Sequence, residues 1–86
     1  GTAPNPARDV ATLRVDLPQT AEVTVEVYDV MGRRVLTTPS VTLGSGSNRT
    51  VSLGLGGLAS GTYLYRVSAQ MGDATKVRTG QLIIAR

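Results

Sequence analysis

Apolar and polar residues alternate with a period of two through much of the chain, a pattern that predicts β-strands with one buried face. The first such run is VATLRVDL over residues 10–17, which Pro18 ends because proline has no backbone N–H to donate. The second is AEVTVEVYD over residues 21–29, whose valines share one face, as β-branched residues favour in a pleated sheet. The predicted inward positions of the two runs are Ala11, Leu13, Val15 and Leu17, then Val23, Val25 and Val27.

The rest of the chain predicts further short strands. Gly32 lies between two strand-like runs, where a hairpin turn needs a positive φ, so residues 21–29 and 34–38 are expected to pair. Residues 44–48, GSGSN, are predicted to be a loop on composition, and Gly80 to be a bulge or bend in the last strand. The other predicted strands cover residues 41–43, 49–53, 62–68 and 75–85, with a glycine-rich connection over 54–61 and a turn over 70–74.

No segment has the pattern of a helix, and one sheet cannot cover its own apolar side, so two sheets must pack together. The sequence therefore predicts an all-β fold, a single immunoglobulin-like or fibronectin-like antiparallel β-sandwich of about seven strands. We expect residues 1–9 to form an extended leading segment and residues 10–86 to form the sandwich. Residues 58–63, LASGTY, look like a tyrosine corner, so the Tyr63 hydroxyl is expected to donate a hydrogen bond to the preceding loop.

Composition removes several classes of chemistry. The 86 residues include no Cys, His, Trp or Phe, so the chain has no imidazole base, thiolate nucleophile, zinc knuckle, Cys/His metal cluster or disulfide. The length allows one small domain, and we expect no catalytic residue, cofactor or metal ligand. The longest apolar run, LIIA over residues 82–85, is far short of the roughly 20 residues of a spanning helix. A signal peptide for export would have to lie upstream, on a longer precursor.

Two local motifs have ordinary structural explanations. Residues 54–59, GLGGLA, fit the G-x-G-x-x-G/A phosphate fingerprint, but that motif works only where a helix follows, and here a strand is predicted. An inter-strand loop is therefore favoured. Residues 48–50, NRT, form a glycosylation sequon, which we interpret as a turn signal. The carboxylates Asp16, Glu22 and Glu26 fall on predicted polar strand faces, where they are expected to be solvated.

Charge is unevenly distributed: residues 1–43 carry a net charge of −1 and residues 44–86 a net charge of +4. Lys76 and Arg78 share one face of the predicted last strand. They could form a basic surface for an acidic partner or an anionic envelope, or protect an edge strand against aggregation. Nucleic-acid binding is not expected, because basic residues are few and Tyr63 and Tyr65 are needed in the core. Only Tyr28 is placed on a polar face, which is a poor platform for sugar.

Four blocks of the sequence, in order, resemble one protein family. Residues 3–6 are APNP, residues 25–35 are VEVYDVMGRRV, residues 58–67 are LASGTYLYRV, and the chain closes with KVR at 76–78 and LIIAR at 82–86. Together these blocks resemble the type A C-terminal sorting domains of the type IX (Por) secretion system. The resemblance covers essentially the whole chain. It departs from the family at Ala3, where an aromatic residue is frequent, and at the end, where Arg stands for the usual Lys.

The resemblance implies a secretion signal that is not an enzyme. Such a domain follows a covalently attached N-terminal cargo, which an upstream signal peptide takes to the periplasm. The outer-membrane type IX translocon then recognises the folded sandwich, and a sortase-like peptidase removes it and attaches the cargo to a surface lipopolysaccharide. The implied location is the periplasm in transit, then the cell surface or the medium. No nucleic acid or small-molecule substrate is implied, and no cofactor.

The resemblance also selects the residues of interest. Gly32 and Gly61 are expected to serve backbone geometry, and cleavage is expected near or before the PNP segment. The surface that the translocon reads is expected to be the last strand with its basic side chains. The residues selected are Pro4, Asn5, Pro6, Gly32, Arg33, Gly61, Tyr63, Lys76, Arg78 and Arg86.

Two other functions stay open on the sequence alone. The chain could be an accessory immunoglobulin- or fibronectin-like spacer, or a carbohydrate-binding module of a secreted hydrolase, with Tyr28 as the sugar contact. It could also be a small enzyme, since folds host unexpected sites, although no nucleophile and base can be paired here.

Overall fold

A computed structural model of the protein describes residues 2–3 and 8–85. These residues form antiparallel strands in two sheets and no helix. The strands are β1 (Thr2–Ala3), β2 (Val10–Leu17), β3 (Ala21–Tyr28), β4 (Arg34–Thr37), β5 (Val41–Leu43), β6 (Gly46–Gly54), β7 (Gly61–Met71) and β8 (Ala74–Ile84). The all-β sandwich predicted from the alternating pattern is therefore confirmed. Within the described part of the chain, no helix has the length and hydropathy of a membrane span.

The two sheets differ in size. One has the strand order β1-β2-β6, and the other has the order β4-β3-β7-β8, with β5 also paired to β3. Because β7 takes one edge of β3 along its length, β4 and β5 must share the other edge, end to end. Thr38 joins them: its N–H donates to the Val25 carbonyl oxygen over 2.9 Å, and its Oγ1 accepts from the Val25 N–H over 3.0 Å. The two short strands therefore act as one edge strand that is interrupted at Pro39.

The core lies between the inner faces of the two sheets. Val23, Val25 and Val27 are fully buried, as the alternation predicts. Burying a side chain of this kind stabilises the fold by about 1.5–3 kcal/mol, which is how a small domain without disulfides offsets its chain entropy. The largest fully buried side chains elsewhere are Leu13, Leu53, Leu55, Leu82 and Ile84.

The predicted loop over residues 44–48 is wrong in its second half. Strand β6 begins at Gly46 and pairs with β2, whose register shifts between Val15 and Leu17. Asn48 has a φ of 56°, and its N–H donates to Asp16 Oδ1 over 2.9 Å. The turn-favouring residues are thus used to build a β-bulge inside the ladder, because asparagine tolerates a positive φ there.

The predicted bulge at Gly80 is also wrong. The ladder between β7 and β8 runs without a register shift from Gly61 opposite Ile84 to Met71 opposite Ala74. Gly80 lies opposite Tyr65, and a Cβ at position 80 would overlap the Tyr65 ring. The glycine is there to leave room for that ring. The connection between β7 and β8 is a tight turn over Gly72, with a φ of +61°, and Asp73.

Candidate functional site

The hairpin between β3 and β4 is held by the Asp29 carboxylate. Its Oδ1 accepts the Met31 N–H over 2.9 Å and the Arg33 N–H over 3.0 Å, and its Oδ2 accepts Arg33 Nε over 2.8 Å. The Asp29 N–H also donates to the Arg33 carbonyl oxygen over 2.9 Å. Gly32, at a φ of +82°, lets the chain reverse, which confirms the hairpin predicted around it. Arg33 therefore braces the turn with its own side chain.

The charges of this hairpin lower two pKa values. The hydrogen bond from the Arg33 backbone N–H has the largest effect and, with the bonds from the Arg33 guanidinium and the Met31 N–H, holds the pKa of Asp29 below its ordinary value of 3.8, while desolvation opposes this lowering. On the sheet face beside it, Arg34 Nη1 donates to Glu26 Oε2 over 3.1 Å, and this bond lowers the pKa of Glu26 below 4.5. Both arginine side chains are largely exposed, so each ion pair adds little stability by itself.

The tip of the hairpin presents apolar side chains to solvent. Val30 and Met31 are each 77% exposed, although Asp29 accepts the N–H groups of Met31, Gly32 and Arg33 in the turn that carries them. Beside the tip, on the outer face of the larger sheet, Tyr28 and Leu64 line a shallow apolar hollow of about 600 Å³. The sequence offers one signal for the exposure of Val30 and Met31, their position in the predicted hairpin turn, and they were not among the candidate residues.

The tyrosine corner is confirmed. Tyr63 Oη donates to the Ala59 carbonyl oxygen over 2.7 Å, which ties the glycine-rich connection to the start of β7. A Cβ at Gly61 would lie at an ordinary van der Waals distance, 3.8 Å, from the Tyr63 ring. Residues 54–59 run from the end of β6 into this connection with no helix following, so they lack the context of a phosphate site. Tyr63 is thus a structural residue of the corner.

Lys76 and Arg78 lie on the inner face of β8, in phase with the buried residues Leu82 and Ile84. Both are exposed all the same, and open space separates them from the smaller sheet. Their cross-strand neighbours on β7 are Ala69 and Val67, both buried. The alternation along β8 predicts that Lys76 and Arg78 share a face with each other. It also contains the further prediction that this is the face of Leu82 and Ile84.

A groove opens where Lys76 and Arg78 project from the sandwich. It has a volume of about 300 Å³, and β2 forms its opposite wall with Arg14, Val15 and Asp16. Val15, predicted to be inward, is only half-buried because it borders this groove. The β2 wall could not be predicted from the sequence, because β2 and β8 belong to different sheets and only the packing of the two sheets brings them together. Asp16 is the acid on this wall, and its carboxylate already accepts the Asn48 N–H.

Pro4, Asn5, Pro6 and Arg86 lie outside the described residues. Tyr28 is half-buried, and the other two tyrosines are in the core, so no aromatic ring stands free as a sugar platform. Across residues 2–3 and 8–85, no three carboxylates come together in a group that could hold a metal ion.

Comparisons with known proteins agree with the sequence blocks. The family described as the secretion system C-terminal sorting domain matches residues 3–84. Dimeric latent PorU from Porphyromonas gingivalis has a similar structure, with a TM-score of 0.76 and 25% sequence identity over 99% of this chain. The chain spans 9% of that PorU chain. No curated protein matches. The chain therefore belongs to the family of secretion system C-terminal sorting domains, which are generally non-catalytic sorting signals of the type IX secretion system.

Proposed function

We propose that this domain directs an N-terminally attached cargo protein through the outer-membrane type IX translocon. Family membership implies a cargo that is secreted or displayed on the cell surface, together with a sorting machinery that handles it. On this proposal the precursor crosses the periplasm first, and the folded sandwich is the form that the translocon meets. The domain itself performs no chemistry and binds no nucleic acid or small-molecule substrate.

The surface that we propose the translocon reads is β8 with Lys76, Arg78 and the terminal Arg86. The observation that carries this choice is the exposure of Lys76 and Arg78 on a strand whose backbone is paired with β7 along its length, at positions where alternation would otherwise place core residues. A cation on a paired strand is a more specific signal than one on a flexible tail, because less backbone freedom is lost on binding.

We further propose that a sortase-like peptidase removes the domain near the segment Pro4–Asn5–Pro6 and exchanges it for a surface anchor on the cargo. Two prolines restrict the backbone around them to extended conformations, which is the form in which peptidases bind a chain. Arg33, Gly32, Gly61 and Tyr63 keep structural roles in this scheme, in the hairpin and in the corner that brace the body.

Charge reversal in a secretion assay tests the choice of surface. Residues 1–86 are fused behind a periplasmic reporter in a type IX-competent bacterium, as wild type, as Lys76→Glu/Arg78→Glu and as Arg49→Glu. Arg49 is an exposed cation on β6, so its reversal is the control. We expect the double variant to hold the reporter in the periplasm and the Arg49 variant to export it. Normal export of the double variant, with its fold verified by circular dichroism, would place the signal elsewhere.

A further inference from the structure

The groove between β2 and β8 has an apolar floor and a basic rim. Its floor is made by Tyr65, Val67 and Ala69 of β7, and its rim by Lys76 and Arg78 of β8, with Arg14 across from them on β2. Asp16 is the acid among its lining residues, and the Asn48 N–H already occupies one of its oxygens. The groove is therefore positive at its rim and apolar beneath, a combination that suits an anionic ligand with apolar side chains of its own.

The outer edge of β8 is the second component of this site. Strand β8 ends the order β4-β3-β7-β8, so no described strand pairs with the edge that faces away from β7. Such an edge offers backbone N–H and C=O groups to an added strand, as in β-strand augmentation. In an added strand, residues on the inner face would lie next to Lys76 and Arg78, and the alternate residues next to Val77 and Thr75 on the outer face.

We propose that a partner protein docks by adding one extended strand to residues 74–80 of β8, with carboxylates at alternate positions beside Lys76 and Arg78. The inference rests on the proposed function, in that it supplies the chemistry of the partner that reads β8. Opposite charges side by side on neighbouring strands favour pairing, and like charges oppose it. A second copy of the chain using the same half of β8 would bring Lys76 and Arg78 beside their own counterparts. The basic rim therefore rejects self-association and selects an acidic strand.

Binding of a model strand to the whole 86-residue chain tests the proposal. The probe is a capped fluorescent peptide of sequence TEVEVET, in which the glutamates share one face. The controls are TKVKVKT, with reversed charge, and TVVEEET, with the same composition but no alternation. We expect fluorescence anisotropy to detect TEVEVET and neither control, and salt to weaken the binding by screening. Equal binding of TVVEEET and TEVEVET would reduce the site to general anion attraction and would overturn the proposal.

Substitutions identify the site. Arg78→Glu should weaken TEVEVET binding about tenfold, and Lys76→Glu/Arg78→Glu should bind TKVKVKT in its place. Arg8→Glu is the matched control, since Arg8 is exposed and does not line the groove. Lys76→Gln/Arg78→Gln, which adds no negative charge, should also lose the acidic peptide. If a folded charge-reversed variant kept its affinity for TEVEVET, the cations would have no part in the contact.

Amide hydrogen exchange locates the added strand. The peptide should slow exchange within residues 74–80 of β8, whereas protection confined to residues 14–17 of β2 would contradict pairing with β8. The docking mode and the sorting function can be disproved separately. A chain that exports the reporter but binds no acidic strand disproves this docking mode and leaves the sorting function intact. A chain that binds the strand but does not export disproves the sorting function alone.

Discussion

Tyr65 lies directly opposite Gly80 in the ladder between β7 and β8, and its ring occupies the space that any side chain at position 80 would fill. The Tyr65 side chain is 9% exposed and packs in the core, and it borders open space only where it lines the groove and the outer hollow. Gly80 is not among the glycines with a positive φ, so its backbone does not require glycine. Glycine is required because the Tyr65 ring of the neighbouring strand β7 fills the space that a Cβ at position 80 would occupy.

Gly80→Ala should therefore destabilise the domain by about 1–3 kcal/mol, the usual cost of forcing an extra methyl group into a packed core. Thermal unfolding followed by circular dichroism measures this. Gly56→Ala is the control, because a Cβ there would meet nothing within 4 Å, and it should change the stability by less than about 0.5 kcal/mol. Equal effects of the two substitutions would mean that the ring does not set the cost.

Tyr63→Phe should cost about 1 kcal/mol or more, because it removes the hydrogen bond to the Ala59 carbonyl oxygen and leaves the ring in place. Tyr65→Phe is matched to it in chemistry and burial, and no described residue forms a side-chain hydrogen bond with the Tyr65 hydroxyl. Urea unfolding should show a clear decrease in the free energy of unfolding for Tyr63→Phe and almost none for Tyr65→Phe. An unchanged unfolding midpoint for Tyr63→Phe would remove the corner as a source of stability.

Acid should destabilise the hairpin side of the domain through Glu26 and Asp29. Folding lowers the pKa of each, below 4.5 and 3.8 respectively, so their charged forms stabilise the fold above those values. That stabilisation is lost as the pH falls through the lowered folded-state values. Asp29→Asn should thus lower the melting temperature at about pH 6, and its difference from wild type should shrink as the pH falls below 3.8. Glu22→Gln, which neutralises an exposed carboxylate of the same sheet, is the control. If the difference in melting temperature between wild type and Asp29→Asn did not shrink in acid, the charge of Asp29 would not be its cause.

Removing residues 81–86 should unfold the domain, so loss of export in that truncation would not by itself identify a recognition sequence. The truncation deletes Leu82 and Ile84, which are 0% and 2% exposed. Leu82→Ala alone should cost about 2–5 kcal/mol, a large part of the stability of a small domain. Ile83→Ala, on the outer face at 37% exposure, should cost clearly less. Comparable losses at the two positions in urea unfolding would argue against this assignment of the faces of β8.

The strands could be predicted from the sequence because half-buried strands alternate in a simple way. The valines of β3 and the apolar residues of β2 gave the core faces directly. Gly80 and Asn48 were misread because local composition cannot tell a turn from a bulge, or a bulge from a glycine that leaves room for a ring. In both cases the deciding neighbour, Tyr65 or Asp16, is distant in sequence.

The candidate site was only half predictable for the same reason. The spacing of Lys76 and Arg78 places them on one strand, but the groove that they border also needs β2 of the other sheet, and no local pattern encodes how two sheets pack. The exposed tip at Val30 and Met31 escaped notice because apolar residues in a strand-rich sequence are ordinarily assigned to the core. The resemblance to a family supplied the function, which the residues alone did not.

The location of a fused reporter tests the central claim most directly. Residues 1–86 are attached to the C-terminus of a reporter that carries its own signal peptide, and the reporter is then assayed in periplasm, cell surface and medium of a type IX-competent bacterium. We predict that the reporter reaches the surface or the medium there, and that it stays in the periplasm of an otherwise identical strain without the translocon. A reporter that remained periplasmic in the competent strain, with the domain folded, would contradict the account.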